Sequence, residues 1–211
     1  MLGENHERAH RAMYKILLQR LNQLVLLNPQ QQKELCKVVQ AVELPKDKFL
    51  LEKGQLSNHI YFVVEGAIRS FCEANDKEVT RWFCFEGHFA TSYFSFVYRQ
   101  PSEDSLILIK DSKLLSISYG DLQNLAHKDA VWVDLNRRLL EYYYTNLLNR
   151  AMSFQTQSAA ERYNNLLQEQ SDIEDIVSLG HLASYLGMTQ ETLSRLRARK
   201  KRRRSHHLSL D

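Results

Sequence analysis

Residues 179–196, LGHLASYLGMTQETLSRL, determine how the rest of this chain is interpreted. Leucine and alanine recur through the first eight of these residues at spacings of three and four, which predicts a short helix with one apolar face. Gly187 follows, and glycine ends helices because it adopts the left-handed C-cap conformation without steric cost. Thr189 is a preferred N-cap residue, and Glu191 places a negative charge in the first turn of a second helix. The stretch therefore predicts two short helices joined by a tight turn, a helix-turn-helix.

The second predicted helix has an inward and an outward face. Leu193 and Leu196 lie on the inward face by their spacing. The outward face carries four polar residues, which are Gln190, Glu191, Ser194 and Arg195. Glutamine, glutamate and arginine pair with the adenine, cytosine and guanine edges that the major groove of DNA exposes. We therefore predict that these four residues contact DNA bases, with the alternative that Glu191 and Arg195 form only a solvated ion pair.

A run of basic residues follows toward the C-terminus. Eight of the ten residues from Arg195 to Arg204 are Lys or Arg. Residues 1–194 carry 20 basic and 24 acidic residues, so the excess of positive charge is confined to the C-terminal end. Such a distribution favours one polyanionic partner at that end, namely double-stranded DNA. The residues predicted to contact phosphates are Thr189, Thr192, Arg199, Lys200 and Arg203.

The composition is that of an ordinary globular protein. The chain has 211 residues, 44% of them hydrophobic, which suffices for a buried core. Its three cysteines, Cys36, Cys72 and Cys84, lack the spacing of a zinc or iron–sulfur site, so no metal and no cofactor is predicted. The charged N-terminus and the short apolar runs predict neither a signal peptide nor a membrane span. We expect a cytoplasmic protein with reduced thiols.

The chain begins with two predicted helices. Apolar residues at spacings of three and four predict a helix from Arg8 to Leu27, with an apolar register that begins at Met13. Residues 1–12 are therefore expected to form a loose extension. Asn28-Pro29 interrupts the pattern, and a second helix is predicted over Gln30–Val39.

From Ala41 to Ser118 the sequence changes to short β-strands separated by turns. Alternating and β-branched residues characterise the segment HIYFVVEGAIRSFC, in which Gly66 predicts a bend or bulge. Residues 75–77, Asn-Asp-Lys, predict a turn before the next strand, and residues 110–113 interrupt two further strands. Strands of this length and spacing predict a small antiparallel roll or sandwich.

A long helix is predicted over Val131–Gln155, where no glycine or proline interrupts the sequence. It carries two apolar stripes, so two buried faces are expected. One stripe, Trp132, Leu135, Leu139 and Tyr143, is expected to pack on the roll. The other has near-heptad spacing and predicts a homodimer interface formed by Leu140, Tyr144, Leu147, Ala151 and Phe154. The alternative is that both faces are buried within a monomer.

These elements predict an α+β protein. It comprises an N-terminal antiparallel β-roll of jelly-roll type (a double-stranded β-helix) with flanking helices, a long dimerisation helix and a C-terminal all-α domain. Residues 13–130 form the predicted roll domain and residues 131–156 the long helix. Residues 157–211 form the predicted helix-turn-helix domain with its basic tail, and Ser158 caps the first helix of that domain.

This order of elements resembles the Crp/Fnr family of bacterial transcription regulators. The likeness is carried by LASYLGMTQETLSR and by EKGQLSNHIYFVVEGAIR, in which Gly54 and Gly66 stand at the turns of the family's cyclic nucleotide-binding-like roll. The resemblance implies a homodimer that regulates transcription by binding DNA and contacting RNA polymerase, with a small-molecule effector of unknown identity. It also places Gln190, Glu191 and Arg195 at the three base-contacting positions, with Gln190 in place of the usual arginine.

The segment that binds cyclic nucleotides in that family departs from the family pattern here. Gly87 is kept, but His88 replaces the ribose-binding glutamate. Ser102 and Glu103 stand where an arginine and a serine or threonine pair with the cyclic phosphate. An acidic residue would repel that phosphate, so cAMP and cGMP are not expected to bind. The effector pocket is predicted to include Gly87, His88, Phe89, Arg99, Ser102 and Glu103.

Alternatives accompany these predictions. His88 either ligates a haem or metal ion or is a hydrogen-bonded core residue, and its aromatic neighbours either line a pocket or fill the roll. The chain is either a DNA-binding regulator or a ligand-responsive module that acts through protein contacts. It has no nucleophile elbow, P-loop or other catalytic motif, so no enzymatic activity is predicted. The family's C-terminal β-hairpin is not expected here, and the basic tail is predicted to contact phosphates in its place.

Overall fold

The computed structural model describes the backbone of residues 2–207 and the side chains of residues 10–200. Its helices are α1 (Leu2–Asn22), α2 (Pro29–Val38), α3 (Tyr93–Tyr98), α4 (Tyr119–Lys128), α5 (Ala130–Thr156), α6 (Ala159–Glu169), α7 (Ile173–Ile176), α8 (Leu179–Leu186) and α9 (Gln190–His207). Its strands are β1 (Gln40–Leu44), β2 (Phe49–Leu51), β3 (His59–Glu65), β4 (Ile68–Ala74), β5 (Lys77–Cys84), β6 (Phe89–Ala90), β7 (Ser105–Leu108) and β8 (Ser112–Ser118). Within residues 2–207, no helix combines the length and the apolar character needed to cross a bilayer.

The strands form two antiparallel sheets of a β-roll. The first sheet has the strand order β1-β8-β3-β6 and the second the order β2-β7-β4-β5. Strands that pair are often distant in sequence, as where β3 pairs with β8 and Ile60 lies opposite Ile117. Aliphatic side chains from both sheets form a common core, in which Val63, Ile68 and Leu114 are fully buried. The predicted antiparallel roll is therefore confirmed, with its strands between residues 40 and 118.

Two turns direct the chain within the roll. Gly66 connects β3 to β4 with a φ of +108°, and a Cβ atom there would lie 2.2 Å from Oγ of Ser112. Only glycine fits this conformation and this space, so the predicted bend is the point where the chain passes from one sheet to the other. Asn75 and Asp76 both have positive φ angles, as in a tight hairpin, and they form the predicted turn between β4 and β5.

Helix α1 differs from the prediction at both ends. It begins at Leu2 rather than Arg8, so the expected loose extension is wrong for residues 2–12. Apolar periodicity indicates only which part of a helix is buried, so it does not mark where the helix itself begins. The helix ends at Asn22, before the predicted Leu27.

Side-chain caps define where several helices begin. Asn28 forms a capping box at α2, which therefore begins at Pro29, one residue before the predicted start. Ser158 forms another capping box at α6, which confirms the predicted N-cap. Helix α4 is not apparent from the sequence, although Ser118 caps it, because Gly120 lowers the helix propensity of its first turn.

Helix α5 confirms the predicted long helix, with Asp129 as its N-cap. One of its faces packs on the apolar core that α1, α2, α4 and the first sheet also line. Trp132 and Leu135 are buried in this core. Further along the helix, the hydroxyl of Tyr143 accepts a hydrogen bond from the N–H of Phe89 at 2.7 Å. This contact joins the middle of α5 to β6, as expected for the stripe predicted to pack on the roll.

Helices α6 to α9 enclose a third apolar core. Leu182, Leu186 and Leu193 are buried in it together with Ile173 of α7. The sequence does not predict α7, because the polar residues around Ile173 hide its apolar contribution. Phe83 of β5 packs against the same core, so α8 lies against β5 of the second sheet, and α9 packs on α8.

Candidate nucleic-acid interface and ligand segment

A left-handed glycine fixes the turn between α8 and α9. Gly187 has a φ of +65°, and its N–H donates to the carbonyl oxygen of Ala183. The N–H of Met188 also donates to Ala183, at 3.0 Å, which completes a Schellman C-cap. A Cβ atom on Gly187 would lie 2.7 Å from the ring of Phe154 in α5. Glycine is therefore required both by the backbone conformation and by the close approach of α5.

The start of α9 is capped at the predicted residue. The hydroxyl of Thr189 accepts a hydrogen bond from the N–H of Thr192 at 3.1 Å. Leu193, one turn into the helix, is fully buried in the core of the four C-terminal helices. This burial fixes the rotation of α9 about its axis, and so it fixes which side chains turn outward.

The four predicted base-contacting residues are all exposed at the start of α9, and they are Gln190, Glu191, Ser194 and Arg195. The side chains of Glu191 and Arg195 are each 73% exposed, and they form an ion pair one turn apart. A Cβ atom on Gly180 would lie 2.5 Å from Nε2 of Gln190, so the Gln190 side chain lies back over the start of α8. The four residues share one open surface, and an ion pair so exposed contributes little to stability.

Helix α9 continues through the basic run, where the sequence predicts a separate tail. It ends at His207, and tertiary contacts hold its middle part in place. Nε of Arg197 lies 2.6 Å from Oε1 of Glu174, and Nζ of Lys200 lies 5.7 Å from the centre of the Tyr163 ring. These contacts attach the middle of α9 to α6 and α7.

The predicted phosphate-contacting residues have different surroundings. The hydroxyls of Thr189 and Thr192 lie 2.9 Å apart at the N-terminus of α9. Arg199 is exposed, whereas Lys200 is half-buried against α6. The side chain of Arg203 lies outside the described residues. Of the described cations in this group, Arg199 is therefore the one fully open to a partner.

The segment from Thr91 to Ser105 bonds its own polar groups together. The hydroxyl of Ser102 donates to the hydroxyl of Ser92 at 2.8 Å, and both side chains are buried. The N–H of Gly54 donates to the carbonyl oxygen of Ser102 at 2.7 Å, which ties the segment to the loop after β2. Ser92 is not among the residues predicted for the pocket, because no sequence pattern distinguishes it from other serines. These polar groups are satisfied within the roll.

Arg99 is likewise committed to the roll. It is the C-cap residue of α3, with a φ of +54°, and its guanidinium donates to the carbonyl oxygen of Ser57 at 2.8 Å. The same group donates to Oδ1 of Asn58 at 2.6 Å and lies 4.1 Å from the centre of the Tyr119 ring. Glu103 is exposed at the surface. Arg99 therefore orders the loop before β3 rather than pairing with the Ser102 region.

The other predicted pocket residues, Gly87, His88 and Phe89, lie on the side of the roll that faces α5. The rings of His88 and Tyr142 stack with their centres 6.2 Å apart. Burial, and secondly the charge of Arg20, lowers the pKa of His88. Within the described residues, this group and the group around Ser102 share no hydrogen-bond or ring-contact partner. The structure thus places the six predicted pocket residues in two separate settings.

Comparison with known proteins agrees with this architecture. Residues 41–129 match the family model of the cyclic nucleotide-binding domain. A protein of Eubacterium rectale assigned to the Crp/Fnr family superposes with a TM-score of 0.65 at 18% identity, over 81% of this chain and 82% of that one. FixK2 of Bradyrhizobium japonicum superposes with a TM-score of 0.65 at 21% identity, over 79% and 86%. The regulator CLP of Xanthomonas campestris gives 0.62 at 18% identity, over 82% and 92%. No curated protein sequence matches the chain.

The chain has the Crp/Fnr fold. Each superposition covers far more of the chain than residues 41–129, so the likeness includes helices that follow the roll. The resemblance stated from the sequence is thereby confirmed at the level of the fold.

In this Crp/Fnr fold, the second stripe of α5 is largely uncovered by the described chain. Tyr144 is 62% exposed, Leu147 60% and Phe154 43%. Ala151 is exposed as well, and Leu140 is half-buried. The structure thus separates the two predicted stripes, since one packs on the roll and the other faces outward.

Arg150 joins three parts of the Crp/Fnr fold. From α5, its guanidinium donates to the carbonyl oxygen of Arg81 in β5 and, at 3.2 Å, to that of Tyr185 in α8. The guanidinium carbon lies 4.2 Å from the centre of the Tyr185 ring and 5.5 Å from that of Phe154. Burial lowers the pKa of Arg150. Sequence patterns do not reveal this residue, because its partners lie far from it along the chain.

Proposed function

We propose that this chain is a sequence-specific DNA-binding transcriptional regulator of the Crp/Fnr type that acts as a cytoplasmic homodimer. The observation that carries the proposal is the open face of α9, where Glu191 and Arg195 are exposed while Leu193 is fully buried. A helix that exposes Gln, Glu and Arg at its N-terminus fits the major groove, whose base edges these side chains recognise. The solved structures that share the fold include a global regulator of gene expression, CLP, which supports the same function.

Helix α9 combines base recognition and positive charge in one element. Its cations begin at Arg195 and continue toward His207. Contacts between these cations and phosphates raise affinity for every duplex alike, because they release condensed counterions. We expect Arg199 to act in this way, since it is exposed one turn after Arg195. The hydroxyls at the N-terminus of α9 are suited to a further phosphate contact.

The exposed stripe of α5 supports the homodimer. A monomer would leave Tyr144 and Leu147 in water, although contiguous apolar surface of this kind usually marks an interface. Two copies of α5 packed side by side would bury the stripe of each copy. A twofold axis along this interface would present two α9 helices to half-sites about 34 Å apart, or a multiple of that distance. RNA polymerase is the further partner that this function requires.

Neither cAMP nor cGMP is the expected effector, because of the hydrogen bonds within the ligand segment. Ser92 and Ser102 are bonded to each other, and Arg99 is held by Ser57 and Asn58. Arg99 is the basic residue of the segment, so a cyclic phosphate there would lack a cation to pair with. The roll therefore either senses another small molecule or serves as a scaffold for α5.

The decisive experiment compares two arginines of α9 on DNA. Genomic fragments are first selected with the purified protein, and affinities are then measured for the selected operator and for random duplex. Arg195→Ala should weaken operator binding by about 1 to 3 kcal/mol and leave random binding near its former value. Arg199→Ala is the matched control. It should weaken both alike and reduce the slope of log K against log salt by about one unit.

Two outcomes would contradict parts of this proposal. Equal loss of both affinities in Arg195→Ala would assign Arg195 to a phosphate or to its ion pair with Glu191, and base recognition would fail. A wild-type protein that selects no fragment would favour the second candidate function, a ligand-responsive module that acts through protein contacts.

A further inference from the structure

Arg20, in the last turn of α1, has two buried nitrogens for which the described residues offer no acceptor. Its Nη1 donates to Oε1 of Gln23 at 2.9 Å, while Nε and Nη2 are buried without a hydrogen-bond partner. In arginine, Nε and Nη2 form one edge of the planar guanidinium, and their N–H bonds point in the same direction. This two-nitrogen edge is the fork that pairs with two oxygens of one carboxylate or phosphate.

The surroundings of Arg20 are aromatic and polar. Its guanidinium carbon lies 4.9 Å from the centre of the Tyr142 ring in α5. The ring of His88, from the turn before β6, stacks on the same Tyr142 with 20° between the planes. The hydroxyl of Tyr143 accepts from the N–H of Phe89 and still has its own hydrogen to donate. Three elements, α1, α5 and the turn before β6, thus meet around this cluster.

The positive charge of the cluster is not balanced by its neighbours. Burial and then the charge of Arg20 lower the pKa of His88, which therefore stays neutral at neutral pH. Burial raises the pKa of Tyr143, which keeps its proton. Arg20 is left as a partly buried cation, and its two-nitrogen edge meets no carboxylate of the described residues. Two of the three nitrogens of its guanidinium are thus left to pair with an anion.

We propose that the two-nitrogen edge of Arg20 binds a small oxyanion, a carboxylate or a phosphate, between α1 and α5. The two N–H bonds of Arg20 hold two oxygens of the anion, and the hydroxyl of Tyr143 donates a third hydrogen bond. His88 lines the site as a neutral hydrogen-bonding group. The site is separate from the segment of Ser92 and Ser102, because it uses none of the residues from 91 to 105.

Binding at this site requires a small separation of α1 and α5. Both nitrogens of the two-nitrogen edge are shielded from solvent, and Tyr142 of α5 covers the guanidinium. The bound and free proteins therefore differ in the position of α5 against the roll. Since α5 also contacts α8 through Arg150, this movement reaches the C-terminal helices. The proposal does not rest on DNA binding, because all the residues that form the site lie before α6.

Thermal unfolding of the full chain in sodium acetate, sodium phosphate and sodium chloride, at equal ionic strength and pH, tests the proposal. A ligand that binds the folded protein raises the midpoint in proportion to the logarithm of its excess over the dissociation constant. A general salt effect also raises the midpoint, but equally in every variant. We expect an additional rise with acetate for a carboxylate site, or with phosphate for a phosphate site.

Variants of Arg20 separate the two causes. Arg20→Gln removes the charge and the fork, and it should abolish the additional rise. Arg11→Gln is the matched control, since Arg11 is exposed on the same helix, and it should retain the rise. Arg20→Lys keeps the charge without the two-nitrogen edge, and it should weaken anion binding about tenfold or more. Arg20→Gln is expected to fold in chloride, because it removes a charge that lacks a counter-anion.

Three results would overturn the proposal. An equal response of the wild type, Arg11→Gln and Arg20→Gln to every salt would show that water, not an anion, accepts the hydrogen bonds of the two-nitrogen edge. A response that Arg20→Gln loses for acetate, phosphate and chloride alike would show a general charge effect. A full response in Arg20→Lys would show that the two-nitrogen edge does not hold the anion.

Discussion

The outward face of α9 and the roll segment from Thr91 to Ser105 use their polar groups in opposite ways. On α9, the side chains of Glu191 and Arg195 are each 73% exposed. In the roll segment, the hydroxyls of Ser92 and Ser102 are buried and bonded to each other. The exposed side chains of Glu191 and Arg195 keep their capacity to bind a partner, whereas the hydroxyls of Ser92 and Ser102 have used it for internal hydrogen bonds. DNA binding is therefore expected at α9, whereas the segment holds the roll together.

The largest expected effect concerns the exposed stripe of α5, which belongs with the open surfaces. Leu147→Glu places a charge in the apolar face that two copies are proposed to share, and a buried unpaired charge costs about 3 to 5 kcal/mol. We expect the wild type to sediment as a dimer at micromolar concentration and the variant as a monomer. A second copy would then be the partner that completes this surface.

The control for this experiment is Asn149→Glu. Residue 149 is exposed and lies about 200° around the helix from Leu147. The same charge on this opposite face should leave the dimer intact. A monomeric wild type, or a dimeric Leu147→Glu protein, would contradict the assignment of the interface.

The next largest effect is expected in the roll segment from Thr91 to Ser105. Ser102→Ala removes a buried hydroxyl and leaves that of Ser92 without this partner, so the free energy of unfolding should fall by about 1 to 3 kcal/mol. Urea titration measures the change, with Ser171→Ala as a control at an exposed serine. If both variants are equally stable, these hydroxyls do not hold the segment.

A smaller effect on stability is expected on the open face of α9. Glu191→Ala breaks an ion pair whose members are each 73% exposed, so the free energy of unfolding should change by less than about 1 kcal/mol. The same substitution should alter the base preference of the selected operator, because glutamate accepts from cytosine N4. A loss of stability as large as that of Ser102→Ala would assign the pair to the fold rather than to DNA binding.

The smallest expected effect is the response to cyclic nucleotides, which should be absent. Calorimetric titration with cAMP and cGMP should show no binding, although residues 41–129 match the cyclic nucleotide-binding domain. The reason is that Arg99 already donates to Ser57 and Asn58, which leaves the phosphate without a cation. A dissociation constant in the low micromolar range for either nucleotide would show that the segment opens, and the contrast with α9 would disappear.

Local signals are enough to predict the α8–α9 pair. Gly187, Thr189 and Leu193 each act on groups within about one helical turn, and the structure confirms the helix end, the cap and the buried side. The turn at Asn75 and Asp76 is predictable for the same reason, since its conformation depends on those two residues.

Contacts between distant residues cannot be predicted in this way. Ser92 follows β6 of one sheet and Ser102 precedes β7 of the other, and no pattern in the sequence predicts that they meet. Order along the chain groups Gly87 with Ser102, yet their hydrogen bonds reach different elements. The ion pair between Arg197 of α9 and Glu174 of α7 likewise joins residues that no sequence pattern links.

Arg150 also bears on how the molecule unfolds. One guanidinium bonds to β5 and to α8, and Phe83 of β5 packs into the core of the C-terminal helices. The roll and the C-terminal helices cannot lose their structure separately without breaking these contacts. A chain connected in this way is expected to melt in a single cooperative transition, whereas two domains on a flexible linker would melt in two. Helix α9 therefore draws on the stability of the whole roll, and local opening of the roll also reaches α9.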